Sequence, residues 1–197
     1  RDAFKEKGVD VEKEELTQCV TAVRDAMNLV VPGPMRVMKW IEREVSNAIR
    51  NGAIEIKWTT PSGFNVHQRL MKTETKIIKT QLMGRCMIHV QGAEKGVDLK
   101  HHKNATAPNL IHSLDASLLH FAASQFDRPI ALIHDSVLCL ATDMCKLSTI
   151  VRETYMRLFA DHEPITDFAL SIGAETEPPI IGDLEPSEVI DSQYFFC

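Results

Sequence analysis

Apolar residues recur at intervals of three and four positions along four stretches of the chain, and this spacing predicts four amphipathic helices. The first is expected to lie at the surface, with its apolar stripe at positions 16, 20, 23, 27 and 30. The second begins at Pro34 and ends before Asn51-Gly52, because proline suits a first helical turn and glycine a left-handed cap. The predicted bounds are 12–28, 34–50, 108–125 and, after a Thr142-Asp143 cap, 144–159.

The last two predicted helices each have an inner face that can be assigned from the spacing. In the 108–125 helix, His112, Asp115, Ala116 and Leu119 are expected roughly opposite the apolar face. The residues expected inside are Leu110, Leu114, Ser117, Leu118 and Phe121 in that helix, and Met144, Leu147, Val151, Thr154 and Leu158 in the next.

Alternating apolar and polar residues predict strands with one solvent-facing side. The first strand is expected over 53–58, with Ile54, Ile56 and Trp58 on its inner face, and the chain returns as a hairpin at 64–66. A second alternating strand is expected over 84–91. The polar, glycine-containing stretch from 91 to 103 predicts a mobile loop, and prolines and a glycine after 160 predict a loose tail with a short turn at Pro186.

Two apolar runs, 130–133 and 137–140, flank the polar triplet His134, Asp135 and Ser136. This pattern predicts a buried antiparallel hairpin with a polar tip. A carboxylate raised on an apolar hairpin is costly to desolvate unless a cation lies against it, and a divalent metal has that role in phosphoryl transfer. The alternative is a turn aspartate that hydrogen-bonds its own backbone. The spacing alone leaves both interpretations open.

The composition is that of a globular protein, with 44% apolar and 25% charged residues among 197. This length allows one large domain or two small ones. No apolar run approaches the roughly 20 residues that span a bilayer, so no membrane association is expected. The five cysteines fit no disulfide or zinc spacing, which predicts reduced thiols. The chain opens at Arg1 without a methionine, and we therefore expect a piece of a longer polypeptide.

Charge is distributed unevenly along the chain. Between His67 and Asn104, eight basic residues accompany three acidic ones, whereas from Glu153 to Cys197 ten acids accompany Arg157 alone. Such asymmetry indicates a basic surface that faces a polyanion, and a merely solvated surface is the alternative. A basic β-ribbon with Arg, His and Gln side chains on its open face could contact base edges in a major groove.

Four separated motifs, in this order, resemble the C-terminal part of single-subunit, bacteriophage-type RNA polymerases. The resemblance covers roughly residues 38–197 and is loose before that. The motifs are Trp-Thr-Thr-Pro-Ser-Gly-Phe-Asn-Val from Trp58, Ala-Pro-Asn-Leu-Ile-His-Ser-Leu-Asp-Ala-Ser from Ala107, Leu-Ile-His-Asp-Ser from Leu132 and Val-Arg-Glu-Thr from Val151. An aromatic-rich C-terminus, here Tyr194-Phe195-Phe196, is also common in that family.

The resemblance implies roles for the His-Asp-Ser triplet, which is the third sequence motif of the family's palm. Asp135 would bind the two catalytic Mg²⁺ ions, and His134 would lie beside the primer 3′ end. Two ions roughly 4 Å apart clamp the attacking hydroxyl and the leaving pyrophosphate of an in-line displacement.

The resemblance also implies nucleic-acid contacts. His112 would touch the minor-groove side of the nascent RNA–DNA pair, and Asn109, Ser113 and Asp115 would shape that wall. The basic ribbon between positions 76 and 103 falls where the family has its promoter-recognition hairpin. The expected DNA-reading residues there are Lys79, Arg85, His89 and Gln91. The family folds its C-terminal tail toward the palm, so Tyr194, Phe195 and Phe196 are expected to dock near the triplet.

The expected fold class is α+β: a palm and fingers fragment of a right-hand polymerase, with helices packed around short antiparallel β-hairpins. Four segments are predicted. They are a fingers-like helical segment at 1–52, β-hairpins with the basic promoter-recognition loop at 53–104, the palm helix, His-Asp-Ser hairpin and following helix at 105–160, and a C-terminal extension with the aromatic tail at 161–197.

The family's polymerases use another metal-binding aspartate and a fingers helix with Lys, Arg and Tyr, and nothing before Met38 resembles either. The resemblance therefore implies that this chain is one part of an enzyme that catalyses nucleotidyl transfer with Mg²⁺. Its expected partners are promoter and template DNA, nascent RNA and ribonucleoside triphosphates. The N-terminal part of the polymerase, in cis or as a second chain, would complete the active site. The cytoplasm of an infected bacterium is favoured over an organellar matrix. The alternatives are a family A DNA polymerase fragment, which usually has His-Asp-Glu at the triplet, and a non-catalytic promoter-binding subunit.

Overall fold

The computed structural model describes residues 6–8, 12–80, 86–180 and 182–195, and at strand positions 76, 79, 80, 86–89 and 91 it describes the backbone. The fold is α+β, with helices and three separate two-stranded antiparallel sheets. The helices are α1 (Lys13–Val30), α2 (Pro32–Arg50), α3 (Leu99–Gln125), α4 (Met144–Asp161) and α5 (Pro164–Ile172). The strands are β1 (Ile56–Thr59), β2 (Asn65–Gln68), β3 (Met71–Thr80), β4 (Cys86–Val97), β5 (Ile130–Ile133) and β6 (Ser136–Cys139), and short 3₁₀ turns span Ala141–Asp143 and Pro186–Val189.

The first two helices follow their predicted positions. A capping box between Glu12 and Glu15 starts α1, and α2 ends at an Asn51 cap followed by Gly52 with φ of 103°. Helix α1 lies at the surface with no buried residue, and its apolar stripe is uncovered: Val23 is 60% exposed and Val30 is 76% exposed.

Helix α3 is the longest element and corrects three predictions. It begins at Leu99, nine residues before Pro108, and β4 runs to Val97, so the stretch from 91 to 103 is strand and helix rather than a mobile loop. Asp98 is the true start signal, because its carboxylate accepts a hydrogen bond from the His101 N–H. Pro108 lies inside the helix, where it removes one backbone donor. Leu119, expected on the outer face, is buried.

Two apolar clusters lie along α3. The first joins α2, β1, α3 and α5, and its members include Trp40, Ile41, Trp58, Leu110 and Phe168. The second joins the C-terminal half of α3 to α4 and comprises Ala122, Phe126, Leu147 and Val151. Because α3 contributes to both clusters, it sets the spacing between the β1–β2 hairpin and the β5–β6 hairpin.

The β5–β6 hairpin forms as predicted but is only half covered, which corrects the expectation of a buried hairpin. Ile130, Val137 and Cys139 pack against the second cluster. The opposite side is open to solvent, with Ile133 54% exposed and Leu138 56% exposed. Among the described residues, the second apolar cluster covers one face of this hairpin and nothing covers the other, so that face is exposed.

Three smaller predictions are also wrong. Ile54 precedes β1 and is 59% exposed, and Met144 is 47% exposed at the first turn of α4, before that helix meets its neighbours. The stretch after 160 was expected to be loose, yet Pro164 starts helix α5, whose Phe168 is 1% exposed in the first core cluster. Proline at the first helical position and Gly173 in a left-handed cap (φ 62°) were the signals for that helix. The short turn at Pro186 is present as predicted.

Candidate active site

The candidate site centres on the turn that joins β5 to β6. Ile133 pairs with Ser136, so His134 and Asp135 form a two-residue loop, and both are exposed. His134 has φ of 56° and is the only non-glycine with positive φ among the described residues. The left-handed conformation costs a residue with a side chain on the order of 1–2 kcal/mol. A strained, polar residue at the tip of an apolar hairpin is typical of a functional position.

The outer face of α3 approaches this tip. Partial burial raises the pKa of the Asp115 carboxyl, the nearby His112 imidazole opposes that rise, and the negative charge of Asp135 adds to it. The carboxylates of Asp115 and Asp135 are therefore within electrostatic reach of each other. Asp115 thus interacts electrostatically with two other residues predicted for the site, His112 and Asp135.

The metal-binding capacity of this arrangement is incomplete. The exposed Asp135 carboxylate offers hard oxygen ligands of the kind that Mg²⁺ prefers. Within the described ranges, however, no three His, Cys, Asp or Glu side chains gather closely enough to hold a metal ion. The described residues around the turn therefore do not form a metal site by themselves.

Asn109 and Ser113 face the β1–β2 hairpin and are engaged within the chain. The Asn109 amide donates to Oε1 of Gln68 at 2.7 Å. The indole N–H of Trp58 donates to the Ser113 hydroxyl at 3.0 Å, and that hydroxyl donates to the Leu110 carbonyl at 2.7 Å. Both side chains therefore join α3 to the hairpin, beside the face that carries His112 and Asp115.

The basic ribbon is the β3–β4 hairpin. Its register pairs Lys79 with Met87, Ile77 with His89 and Thr75 with Gln91, so the residues predicted to read DNA occupy neighbouring register positions. The side chains of Lys79, His89 and Gln91 and the whole of Arg85 lie outside the described residues.

The described base of the ribbon is held by ion pairs and by its connection to α3. The Arg69 guanidinium donates to both carboxylate oxygens of Glu94, at 2.8 and 2.5 Å, and Lys95 pairs with Glu74 at 2.8 Å. The Asp98 N–H donates to the Leu70 carbonyl at 2.9 Å, which closes the base of the ribbon just before α3 begins.

A buried polar network beneath the ribbon was missed by the sequence reasoning. His102 is 0% exposed, its Nε2 accepts the Leu70 N–H at 3.0 Å, and its Nδ1 lies 3.3 Å from the Gln68 amide nitrogen. That amide nitrogen also donates to the Thr106 hydroxyl at 2.7 Å. The available signal was the spacing of His102, Thr106 and Leu110, which extends the α3 stripe backward with polar residues.

A second missed network lies beneath the segment after α5. Glu44 is 1% exposed, and its carboxylate accepts hydrogen bonds from the Glu175 N–H, the Thr176 hydroxyl and the Arg43 guanidinium. Burial alone would raise the pKa of Glu44, but these hydrogen bonds together hold it below its usual value. Glu44 therefore ties α2 to the chain beyond α5.

The C-terminal tail docks only in part. Phe195 packs against the second apolar cluster and lies edge-on to Tyr155, with ring centroids 5.1 Å apart. Tyr194 is 86% exposed, so the expectation of a docked aromatic is wrong for that residue, and Phe196 lies outside the described residues. The hairpin residues Ile130, Val137 and Cys139 pack on the same cluster as Phe195.

Comparison with known proteins identifies the family. The family described as DNA-dependent RNA polymerase matches residues 5–177. A DNA-directed RNA polymerase of Pseudomonas phage phiKMV is 30% identical over 90% of this chain, and the chain covers 22% of that protein. DNA-directed RNA polymerase 2, chloroplastic/mitochondrial, of Arabidopsis thaliana is 32% identical over 81% of this chain, and the chain covers 16% of that protein. DNA-directed RNA polymerase 2A of Nicotiana tabacum is 30% identical over 98% of the chain, at 60% coverage of that protein.

The chain thus spans about a fifth or less of the first two relatives and somewhat more than half of the third. Of the helices described, none is long and apolar enough to cross a membrane. The match over most of the sequence, together with relatives from a phage and from plant organelles, shows that this chain belongs to the DNA-dependent RNA polymerase family.

Proposed function

We propose that this chain supplies part of the catalytic centre and part of the promoter-binding surface of a phage-type DNA-directed RNA polymerase. The observation that carries the proposal is the exposed, strained His134-Asp135 turn, whose Asp135 interacts electrostatically with Asp115 of α3, in a chain of this family. The reaction would extend an RNA 3′ end by one ribonucleotide, with release of pyrophosphate.

Asp135 would contribute one carboxylate to the magnesium site. Bound Mg²⁺ would stabilise the charge that develops on the attacking and leaving oxygens. His134 would lie beside the primer end, and its left-handed backbone keeps the turn tight enough for both side chains to project at the tip. His112 and Asp115 would line the wall along the new base pair, with Asn109 and Ser113 holding that part of α3 against the β1–β2 hairpin.

The rest of the site would come from the N-terminal part of the polymerase, in cis or as a second chain. Two observations support this division. The described residues provide no set of three metal ligands, and apolar surface is uncovered both on α1 and on the outer side of the β5–β6 hairpin. Contiguous exposed apolar surface of this kind commonly marks a protein interface. The similarity to a phage protein favours an infected bacterium as the place of action.

The β3–β4 ribbon would contact promoter DNA. Its length, its basic residues and the fixed attachment of its base to α3 support this role. An antiparallel ribbon can enter a major groove, where Arg, His and Gln side chains bond base edges.

Template-directed synthesis by reconstituted protein tests the proposal. The chain alone should add no nucleotide, and the chain assembled with the N-terminal remainder should incorporate ribonucleotides from a promoter-bearing template. Promoter binding without synthesis by the full assembly would instead indicate a non-catalytic subunit, and preferential incorporation of deoxyribonucleotides would indicate a DNA polymerase.

A further inference from the structure

Arg152 of α4 holds the C-terminal segment through several backbone atoms at once. Its Nη1 donates to the carbonyl oxygens of Val189 and Ser192, at 2.5 and 2.6 Å, and lies 3.4 Å from the carbonyl oxygen of Ile190. Its Cζ lies 5.3 Å from the centroid of the Phe195 ring, within the range of a cation–π interaction. One side chain therefore contacts four positions of the tail.

The chemistry of these contacts favours arginine over any other residue. The carbonyls of Val189 and Ile190 lie at the C-terminal end of the 3₁₀ turn Pro186–Val189. Carbonyls at the end of a helical turn lack partners within the turn. A cation is favoured at that end, and a planar guanidinium can bond several oxygens while its face lies against an aromatic ring. A lysine ammonium is a compact charge and cannot reproduce both contacts.

The held segment shares its support with the candidate active site. Phe195, held between Arg152 and Tyr155, packs on the cluster that also carries Val137 and Cys139 of β6. The position of the tail and the position of the His134-Asp135 turn therefore depend on the same small core.

We propose that Arg152 is a positioning residue for catalysis: it fixes the C-terminal tail against α4 and thereby keeps the β5–β6 turn in its productive position. This inference rests on the proposed function, since it assumes that the turn serves nucleotide addition.

The test uses the assembled polymerase and two readouts, amide hydrogen exchange over residues 189–195 and steady-state RNA synthesis. Arg152→Ala should raise exchange in the tail about tenfold or more, and should lower kcat about ten- to hundredfold with promoter affinity and nucleotide KM nearly unchanged. Arg152→Lys should change tail exchange and kcat less than Arg152→Ala does, but should not match the unaltered polymerase in either. Arg157→Ala is the matched control, because Arg157 lies on the same helix and bonds Gln125 and Glu153 instead of the tail.

A deletion variant of the polymerase separates positioning of the tail by Arg152 from a general loss of stability. In a polymerase that lacks residues 194–197, and with them the Phe195 ring, Arg152→Ala should lower kcat little beyond the effect of the deletion itself. Unchanged exchange over residues 189–195 in Arg152→Ala would overturn the proposal. An equal loss of kcat with and without residues 194–197 would also overturn it. An unaltered assembly that synthesises no RNA would contradict the proposed function, and the exchange comparison would still decide whether Arg152 holds the tail.

Discussion

The backbone N–H of Leu70 donates a hydrogen bond of 3.0 Å to Nε2 of His102, and His102 is fully buried. Leu70 lies between β2 and β3, immediately before β3, and His102 lies in the first turn of α3. This bond therefore attaches the base of the basic ribbon to the longest helix of the fold. Because the backbone N–H is always a donor, Nε2 must be an acceptor, and the ring must be neutral.

The first prediction concerns the pH dependence of folding. Burial lowers the pKa of His102, and the nearby His101 lowers it further, against the opposing effect of the Asp98 carboxylate. The unfolded chain, with a pKa of about 6.5, then binds the proton more readily than the folded chain. The stabilisation from a neutral His102 should be fully present above about pH 6.5 and should be lost as the pH falls through the lowered folded pKa.

Denaturant unfolding at several pH values measures this effect. The loss should be about 1.4 kcal/mol for each unit by which the pKa is lowered. His102→Gln should be less stable at neutral pH and should lose most of the pH dependence in this range. His67→Gln, at an exposed histidine of β2, should retain it. If the free energy of unfolding of His102→Gln changed with pH as steeply as that of the unaltered chain, the prediction would be contradicted.

The second prediction concerns Gln68, whose amide bonds Thr106 and Asn109 and contacts His102. Gln68→Leu keeps the size of the side chain but leaves polar groups of α3 without their partner inside the protein. Each buried group left unsatisfied costs about 1–3 kcal/mol. The free energy of unfolding should fall by a few kcal/mol, whereas His67→Leu, at the exposed neighbouring position, should change it little. Equal stability of the two variants would show that the network contributes nothing.

The sequence predicts those elements whose pattern and boundary signals agree. Helix α2 has both a regular stripe, with Val37, Trp40 and Ile41 buried, and an unambiguous Asn51-Gly52 end. The turn at His134-Asp135 follows from two short apolar runs with a polar break, whereas the role expected for Asp135 rests on the resemblance alone. What the pattern could not show was that only one face of this hairpin is covered, since covering depends on neighbours far away in sequence.

Polar residues are buried on the inner side of α3. The sequence pattern places Ser117 inside but does not predict the burial of His102 and Thr106, which precede the predicted start of the helix, and all three are fully buried. Their burial depends on partners such as Gln68, Leu70 and Ser113, whose proximity is a property of the tertiary structure. The start of α3 differs from its predicted position for another reason, because the proline at 108 is a stronger local signal than the Asp98 cap.

The third prediction concerns DNA reading by the ribbon. Substitution of Arg85 or His89 should relax discrimination at one promoter position by about 1–3 kcal/mol if the side chain bonds a base edge. Competition binding across single-base promoter variants measures this quantity. Lys72→Ala, at an exposed position near the base of the ribbon, is the control and should weaken binding to all variants alike. A uniform loss with Arg85 or His89, together with a shallower salt dependence, would identify phosphate contacts instead.

The fourth prediction concerns the carboxylate at the centre of the proposal. In the assembled polymerase, Asp135→Asn should reduce nucleotide addition to background, because the amide removes the charge that would hold magnesium in the transition state, which is worth several kcal/mol. Promoter affinity should be nearly unchanged. Asp183→Asn removes an exposed carboxylate outside the candidate site and should leave the rate of synthesis intact.

The most direct measurement is the single-turnover rate of nucleotide addition by the Asp135→Asn assembly on a preformed primer–template, compared with the unaltered assembly and with Asp183→Asn. A preformed primer–template removes promoter binding and initiation from the rate. Loss of addition in Asp135→Asn alone, with primer–template binding retained, is the predicted result. Addition at the unaltered rate would contradict the assignment of Asp135 to the catalytic centre.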